Sequence, residues 1–254
     1  CIPLEEVHGW IILFENVTEE FNLQKLKREF ISNASHEFKT PLAIIKGYIE
    51  TLLDNNFSYE KQNEFLLKIR SNIDRLNNII DDVITLNKLE DYKDLFVFRL
   101  SNIKMIIDNC VEILKPAAKK QNIRIINEIE DNFEIVIPPD LFEILVYNLI
   151  DNAIKYNEEN GYVKIIGRMI ENAFELRVSD SGVGVPPSEH DKIFQRFYTV
   201  NKSRSREKGG TGLGLSIVKH SVIIMKGNIS VTNNPEGKGS LFTVSIPVID
   251  NEKE

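Results

Sequence analysis

Four short clusters of reactive residue types stand in one order along this chain of 254 residues. The first, Ser35-His36-Glu37-Phe38-Lys39-Thr40-Pro41-Leu42, sets a nucleophile beside a base. Imidazole titrates near neutrality, so at pH 7 a neutral ring offers a lone pair able to attack phosphorus. The second, Asn148-Leu149-Ile150-Asp151-Asn152-Ala153-Ile154-Lys155-Tyr156, repeats Asn148, Asn152 and Lys155 on one helix face. Amide carbonyls are hard oxygen ligands, suited to a Mg²⁺ ion that also binds phosphate oxygens. The third, Asp180-Ser181-Gly182-Val183-Gly184, places a carboxylate before two glycines. That carboxylate accepts from the exocyclic amine of adenine but not from the carbonyl of guanine, and the glycines let backbone approach a base closely. The fourth, Gly210-Thr211-Gly212-Leu213-Gly214-Leu215, precedes and opens a helix. Its N–H groups and the helix dipole favour phosphate, yet no Gly-Lys-Ser/Thr follows, so the pattern is not a P-loop. Together the last three clusters hold a nucleotide, and the first supplies something for it to react with.

The elements that must carry these groups are legible from apolar spacing. From Phe21 to about Asp54 the apolar residues Leu23, Leu26, Phe30, Ala34, Phe38, Leu42, Ile45, Ile49 and Leu52 recur every three or four positions. That is the seam of a long amphipathic helix. Asn55, Asn56 and Ser58 break the pattern, and a second seam follows at Leu66, Ile69, Ile73, Leu76, Ile80 and Val83. Two long helices with a short loop form an antiparallel hairpin. A lone hairpin leaves apolar surface uncovered, and two copies making a four-helix bundle would cover it, which predicts a homodimer. The alternative is that both helices pack on the C-terminal part of the same chain. On this first helix His36 lies about 200° round from Ala34, opposite the seam and therefore accessible to solvent, with Thr40 one turn later on the same face. Pro41 lacks an N–H and disturbs the preceding turn.

Beyond Tyr92 the pattern changes. Strands are expected at Leu95–Leu100, Ile123–Glu128, Phe133–Ile137, Tyr162–Met169, Phe174–Ser179, Asn228–Thr232 and Ser240–Pro247. Helices are expected at Pro139–Asn157 and Leu213–Met225. Helices on one face of a mixed sheet make an α/β sandwich, and the chain as a whole reads as α+β. Ile103, Ile106, Cys110, Ile113 and Ala117 also recur at a helical period, with Cys110 a buried thiol. Between Val185 and Gly210 lies a polar stretch long enough for a mobile lid, carrying Phe194-Gln195-Arg196-Phe197-Tyr198.

Composition narrows the partners. A formal net charge of −7 argues against nucleic acid. The two cysteines, Cys1 and Cys110, form no metal-binding spacing and suit a reducing cytoplasm. No apolar run approaches the length needed to cross a bilayer. The chain starts at Cys1 without Met, and Gly9–Val17 reads as a strand feeding the first helix.

All four clusters in this order resemble the H, N, G1 and G2 boxes of sensor histidine kinases of the PhoR/WalK-like class, over nearly the whole chain from about Phe21. The resemblance implies a dimeric four-helix bundle from residues 21–92 and an ATPase domain from 93–254, of the fold shared with gyrase, MutL and the large heat-shock chaperone. Residues 1–20 resemble the last strand of a PAS-type sensor domain, which implies a cytoplasmic piece of a longer, membrane-anchored bacterial protein. In the roles the family implies, His36 accepts the γ-phosphoryl group of ATP and Glu37 is its general base or orienter. Thr40 aligns water in a phosphatase reaction on a response regulator. Asn152 holds Mg²⁺, Asn148 lines the same site, and Lys155 and Tyr156 approach the phosphates. Asp180, Gly182 and Gly184 take the adenine, while Gly210, Gly212, Leu213, Gly214 and Leu215 wrap the phosphates. Phe194–Tyr198 resembles the F box, with Phe194 and Phe197 anchoring the lid. Where the family often continues with Arg, Val and Asp, this chain has Thr199, Val200 and Asn201, so Arg196, Lys202, Arg204 or Arg206 is left to supply positive charge. The implied partner is the receiver domain of a response regulator. A hydrolytic ATPase of the same fold would need an acidic base where Asn148 stands and would lack the His36 helix. A non-catalytic scaffold would not need all four boxes intact.

Overall fold

A computed structural model describes residues 2–3, 10–11, 18–54, 57–91, 96–131, 133–201, 205 and 208–248. Two short strands, β1 (Ile2–Pro3) and β2 (Trp10–Ile11), pair antiparallel. The rest of the expected Gly9–Val17 strand lies outside the described residues, as do Leu95 and the basic positions Lys202, Arg204 and Arg206. Helix α1 (Thr18–Asp54) and helix α2 (Tyr59–Asp91) form the antiparallel hairpin. Near the turn, Phe65 packs against Tyr48 and Phe57 at ring distances of 5.3 and 5.2 Å. Pro41 sits inside α1 without ending it. Its missing N–H takes one donor out of the helical ladder, while the Thr40 hydroxyl donates back to the His36 carbonyl at 3.2 Å.

The hairpin buries only part of its apolar stripe. Ala34, Ile79, Leu86 and Leu89 are buried, but Leu42, Ile49, Leu66, Ile73 and Ile80 of the two seams remain exposed. The lower half of α2 packs against the second part of the molecule, so the expected alternative, contact with the C-terminal part of the same chain, holds for that half.

That second part begins with β3 (Arg99–Asn102), which pairs antiparallel with β5 (Glu134–Ile137). Between them run α3 (Ile103–Lys120) and β4 (Arg124–Asn127). After β5 come α4 (Pro139–Lys155), β6 (Tyr162–Ile170), β7 (Ala173–Asp180), α5 (Gly214–Ile224), β8 (Asn228–Asn233) and β9 (Ser240–Pro247). The main sheet has the order β4-β6-β7-β9-β8, parallel only between β4 and β6. Strands β6, β7 and β9 bury alternate residues: Val163 and Ile165, Phe174, Leu176 and Val178, Phe242, Val244 and Ile246. That period of two is the mark of a sheet covered on one face. The layer over it is α3, α4 and α5, so the expected α/β sandwich is present.

Two details depart from the sequence expectation. The first strand starts at Arg99 and runs to Asn102, whose side chain accepts from the Met105 N–H and caps α3. In α3 the buried residues are Ile103, Ile106, Ile107, Cys110, Leu114 and Ala118, so Ile106 is buried as expected while Ile113 and Ala117 are exposed. A helix turning every 3.6 residues drifts off a strict three-four alternation within a few turns. Cys110 is buried as expected, and burial pushes its thiol up to about 12.

Candidate active site

The polar face of α4 opens into a cleft of about 1180 Å³. Asn148, Asn152, Lys155 and Tyr156 line it from one side, and Asp180, Gly184, Gly210, Gly212, Gly214 and Leu215 line it from the others. Helix α4 presents these groups because Leu145, Leu149, Ala153 and Ile154 bury the opposite face in the core. The Asn148 amide donates to the Ile144 carbonyl at 2.8 Å, which turns its Oδ1 toward the start of α5. A side chain at Gly214 would come within 2.9 Å of that oxygen and 3.4 Å of the Asn152 amide. Two side-chain amides thus crowd against the N-terminus of a helix; the helix end favours phosphate, and the amide oxygens offer a hard cation its ligands.

Asp180 ends β7 and is buried. Its Oδ1 accepts from the Gly182 N–H at 2.8 Å and the Ser240 N–H at 3.3 Å. Burial nevertheless pushes the carboxyl up to about 6. Oδ2 has no hydrogen-bond partner among the described residues, so it is left to accept from a base that enters the cleft. Gly182 lies under this turn rather than in the cleft wall, and a Cβ there would stand 2.3 Å from the Tyr156 carbonyl. Its expected contact with the nucleotide is therefore indirect, through the Asp180 turn. Leu213 is likewise buried beneath the loop and caps α5. Gly212 has φ +75 and abuts the Phe197 backbone, a conformation and a closeness that only glycine tolerates.

At the other end of the cleft the cation is already engaged. Lys155 pairs with Asp151 at 2.6 Å. Burial opposes its charge, but Asp151 and Asp82 outweigh that and raise its pKa. Asn78, Asp81, Asp82 and Thr85 of α2 also line this end. The Thr211 hydroxyl donates to Asp82 Oδ2 at 2.6 Å and accepts from the Leu213 N–H at 3.1 Å. Burial pushes the Asp82 carboxyl up to about 6, against the pull of Thr211 and Lys155.

Arg196 requires a correction. It does not line the cleft; its guanidinium donates to Glu90 of α2 and to Nε2 of His220 and lies 5.1 Å over the Phe30 ring. The His220 Nδ1 sits 2.9 Å from the Ser216 carbonyl, so Nδ1 carries the proton and Nε2 accepts from Arg196. Burial, then the charges of Arg196 and Lys219, lower the His220 pKa and keep the ring neutral. The residue acts as a clamp because Glu90 is the nearest anion to its half-buried charge. Phe197 packs on Phe30 at 5.7 Å, and Phe194 packs against the catalytic core, as expected of lid anchors.

His36 is exposed on α1, and neither it nor Glu37 nor Thr40 lines the large cleft. Glu37 instead accepts from Arg75 of α2 at 2.6 Å, an ion pair whose arginine is buried. This pair faces Phe197, Thr199, Gly210 and Thr211 across a small gap. Asp82, Glu90 and Arg75 were absent from the sequence reading. All three sit on α2, where the only signal is a polar residue at a position one turn from a buried one.

Comparisons with known proteins follow this division. Residues 26–91 match the His Kinase A (phospho-acceptor) domain, and residues 137–250 match the histidine kinase-, DNA gyrase B- and HSP90-like ATPase family. The sensor protein kinase WalK of Staphylococcus epidermidis is 33% identical over 245 residues, which cover 95% of this chain and 40% of that protein. The sensor-like histidine kinase SenX3 of Mycolicibacterium smegmatis is 31% identical over 237 residues, covering 93% of this chain and 62% of that one. The chain therefore spans less than two thirds of the length of both relatives. Among solved structures, histidine kinase ThkA in complex with response regulator protein TrrA superposes with a TM-score of 0.70 at 22% identity, over 94% of this chain and 70% of that one. At that identity the likeness speaks for the fold.

Proposed function

The chain belongs to the sensor histidine kinases, and from that premise we propose that it transfers the γ-phosphoryl group of ATP to His36 and then to an aspartate of a response regulator. The observation that carries this reading is the convergence of two amides, one ammonium and a glycine-rich loop on a single cleft beside helices bearing an exposed histidine. Asp180 Oδ2 accepts from the adenine amine. Asn152, with Asn148 beside it, would hold Mg²⁺, whose charge would offset that of the phosphate oxygens. Lys155 and the N–H groups of Gly210–Gly214 take the terminal phosphates.

The transfer is mainly a matter of position and electrostatics. The far nitrogen of His36, Nε2, attacks the γ-phosphorus; the bond to the bridging oxygen breaks and ADP leaves. The Nδ1–H is held or removed by Glu37. In the described arrangement the Glu37 carboxylate is engaged by Arg75 and His36 lies outside the cleft, so the catalytic domain moves along the hairpin before transfer, or serves the hairpin of a second copy. The exposed seam residues Leu42, Ile49, Leu66 and Ile73 support a homodimer in which two hairpins close a four-helix bundle. Phosphatase action on the regulator would use the Thr40 hydroxyl, once a rotation about χ1 frees it from the His36 carbonyl.

The test is incubation with γ-labelled ATP and Mg²⁺ beside His36→Gln. Acid-labile, base-stable label on the protein, absent from the variant, is the expected result. Release of free phosphate with no label on the protein would contradict it and point to a hydrolytic ATPase.

A further inference from the structure

The phosphate end of the cleft contains a carboxylate that the catalytic domain does not supply. Asp82 comes from α2 and takes the Thr211 hydroxyl at 2.6 Å. Thr211 stands between Gly210 and Gly212, in the loop that wraps the phosphates in the reading proposed above. A threonine hydroxyl, loop N–H groups and a nearby ammonium are what a phosphate oxygen seeks, and here a carboxylate has the hydroxyl. The charge at this end is also against a nucleotide. Asp82 of α2 and Asp151 of α4 both act on one ammonium, Lys155, which is already paired with Asp151 at 2.6 Å, and Asp81 adds a further negative charge beside Asp82.

We infer that Asp82 is a built-in surrogate for nucleotide phosphate: it docks α2 on the phosphate loop of its own chain and must leave for phosphates to bind. The inference rests on the ATP reading. Asp82 and a phosphate oxygen compete for the Thr211 hydroxyl, and two anions brought to one hydroxyl repel each other at short range. Docking and phosphate binding are therefore linked with opposite sign, and the linkage is reciprocal. Among the described residues the hydrogen bonds at Asp180 come from Gly182, Asn234 and Ser240 and none from α2, so a ligand without phosphates should leave the docked arrangement intact. Burial of the Asp82 carboxylate opposes its charge, so docking costs part of the energy that its contact with Thr211 returns.

The test is calorimetric binding of ATP, ADP and adenosine, with Mg²⁺, to the whole chain and to Asp82→Asn. The amide keeps the shape and can still accept from Thr211, but it carries no charge. Affinity for ATP should rise about tenfold, affinity for ADP should rise less, and adenosine should bind within about twofold of wild type. Asp82→Ser, which removes the contact with a smaller side chain, should behave the same way and covers the case of a variant that fails to fold. Unchanged or weakened ATP binding, or an equal gain for all three ligands, would overturn the inference; weakening would instead make Asp82 a ligand of the bound Mg²⁺. A wild type that binds none of the three defeats the ATP reading and the inference together. A wild type that binds ATP, with an Asp82→Asn protein that binds it no better, defeats the inference alone.

Discussion

At the end of the cleft proposed to take adenine, Asp180 closes β7, with Oδ1 held by the Gly182 and Ser240 N–H groups of its own domain. At its phosphate end the same cleft is shared with α2, whose Asp82 takes the Thr211 hydroxyl while Lys155 is paired to Asp151. One end is preorganised for a ligand; the other is filled by the protein itself. The difference separates recognition of the base, which is always available, from acceptance of the phosphates, which requires a movement of the hairpin. A kinase built this way would hold its nucleotide site in check through the same helices that carry the phosphoacceptor.

The hardest blow to this comparison is struck at the adenine end. Asp180→Ala removes the only carboxylate at that end among the described residues and strands the Gly182 and Ser240 N–H groups. Losing a charged hydrogen-bond partner costs about 2–3 kcal/mol, so ATP and adenosine should both weaken by roughly 30- to 150-fold. A loss confined to ATP would show that Asp180 does not read the base.

The pH dependence is next in size. Asp180 and Asp82 both have carboxyls raised from 3.8 to about 6, each chiefly by burial. A raised pKa means that the fold binds protons that the unfolded chain has released. The stability these two groups contribute is therefore present below about pH 4 and is lost as pH rises through about 6. Replacing Asp180 by Asn removes that loss. The variant should gain stability over the nucleotide-free wild type, by a margin that is largest near pH 7.5 and shrinks toward pH 5. The change in margin should be on the order of 1–3 kcal/mol, read from denaturant melts at each pH. A constant margin would mean that the carboxyl titrates at its ordinary value.

The smallest effect should come from the clamp at the far end of α2. Glu90 holds Arg196, which also donates to His220, in a half-exposed cluster. Such pairs contribute up to about 1 kcal/mol, so Glu90→Gln should loosen the docking and tighten ATP by roughly two- to fivefold. Adenosine should be unaffected in equilibrium binding. If ATP weakens instead, Arg196 contributes to the nucleotide site after all.

The placement of Asp180 at the end of a strand in the cleft and of His36 on an exposed helix face was legible in the sequence because both signals are local. Asp180 and its glycines occupy one turn, Asn148, Asn152 and Lys155 one helix face, and His36 one side of α1. The strands of the sandwich were found to within a few residues for the same reason, since alternation is a property of neighbours along the chain. Errors arose where a distant element decides the outcome. Arg196 looked like a phosphate ligand by type and place, but Glu90, more than a hundred positions away, captures its charge. Glu37 keeps its proposed role beside His36, but its ion pair with Arg75 on the facing helix could not be read from its own neighbours. Asp82 looked like any polar residue on a solvated helix face. Only the packing of α2 on the cleft places it against Thr211.

The most direct test of that packing is a distance measured in solution. Spin labels at the exposed positions Asn77 on α2 and Lys219 on α5 would report the separation of hairpin and catalytic domain by pulsed electron resonance. The account predicts one short distance in the free protein, retained with adenosine and replaced by a longer one with a non-hydrolysable ATP analogue and Mg²⁺. An unchanged distance with saturating analogue would contradict it, because phosphates would then bind with Asp82 still in place.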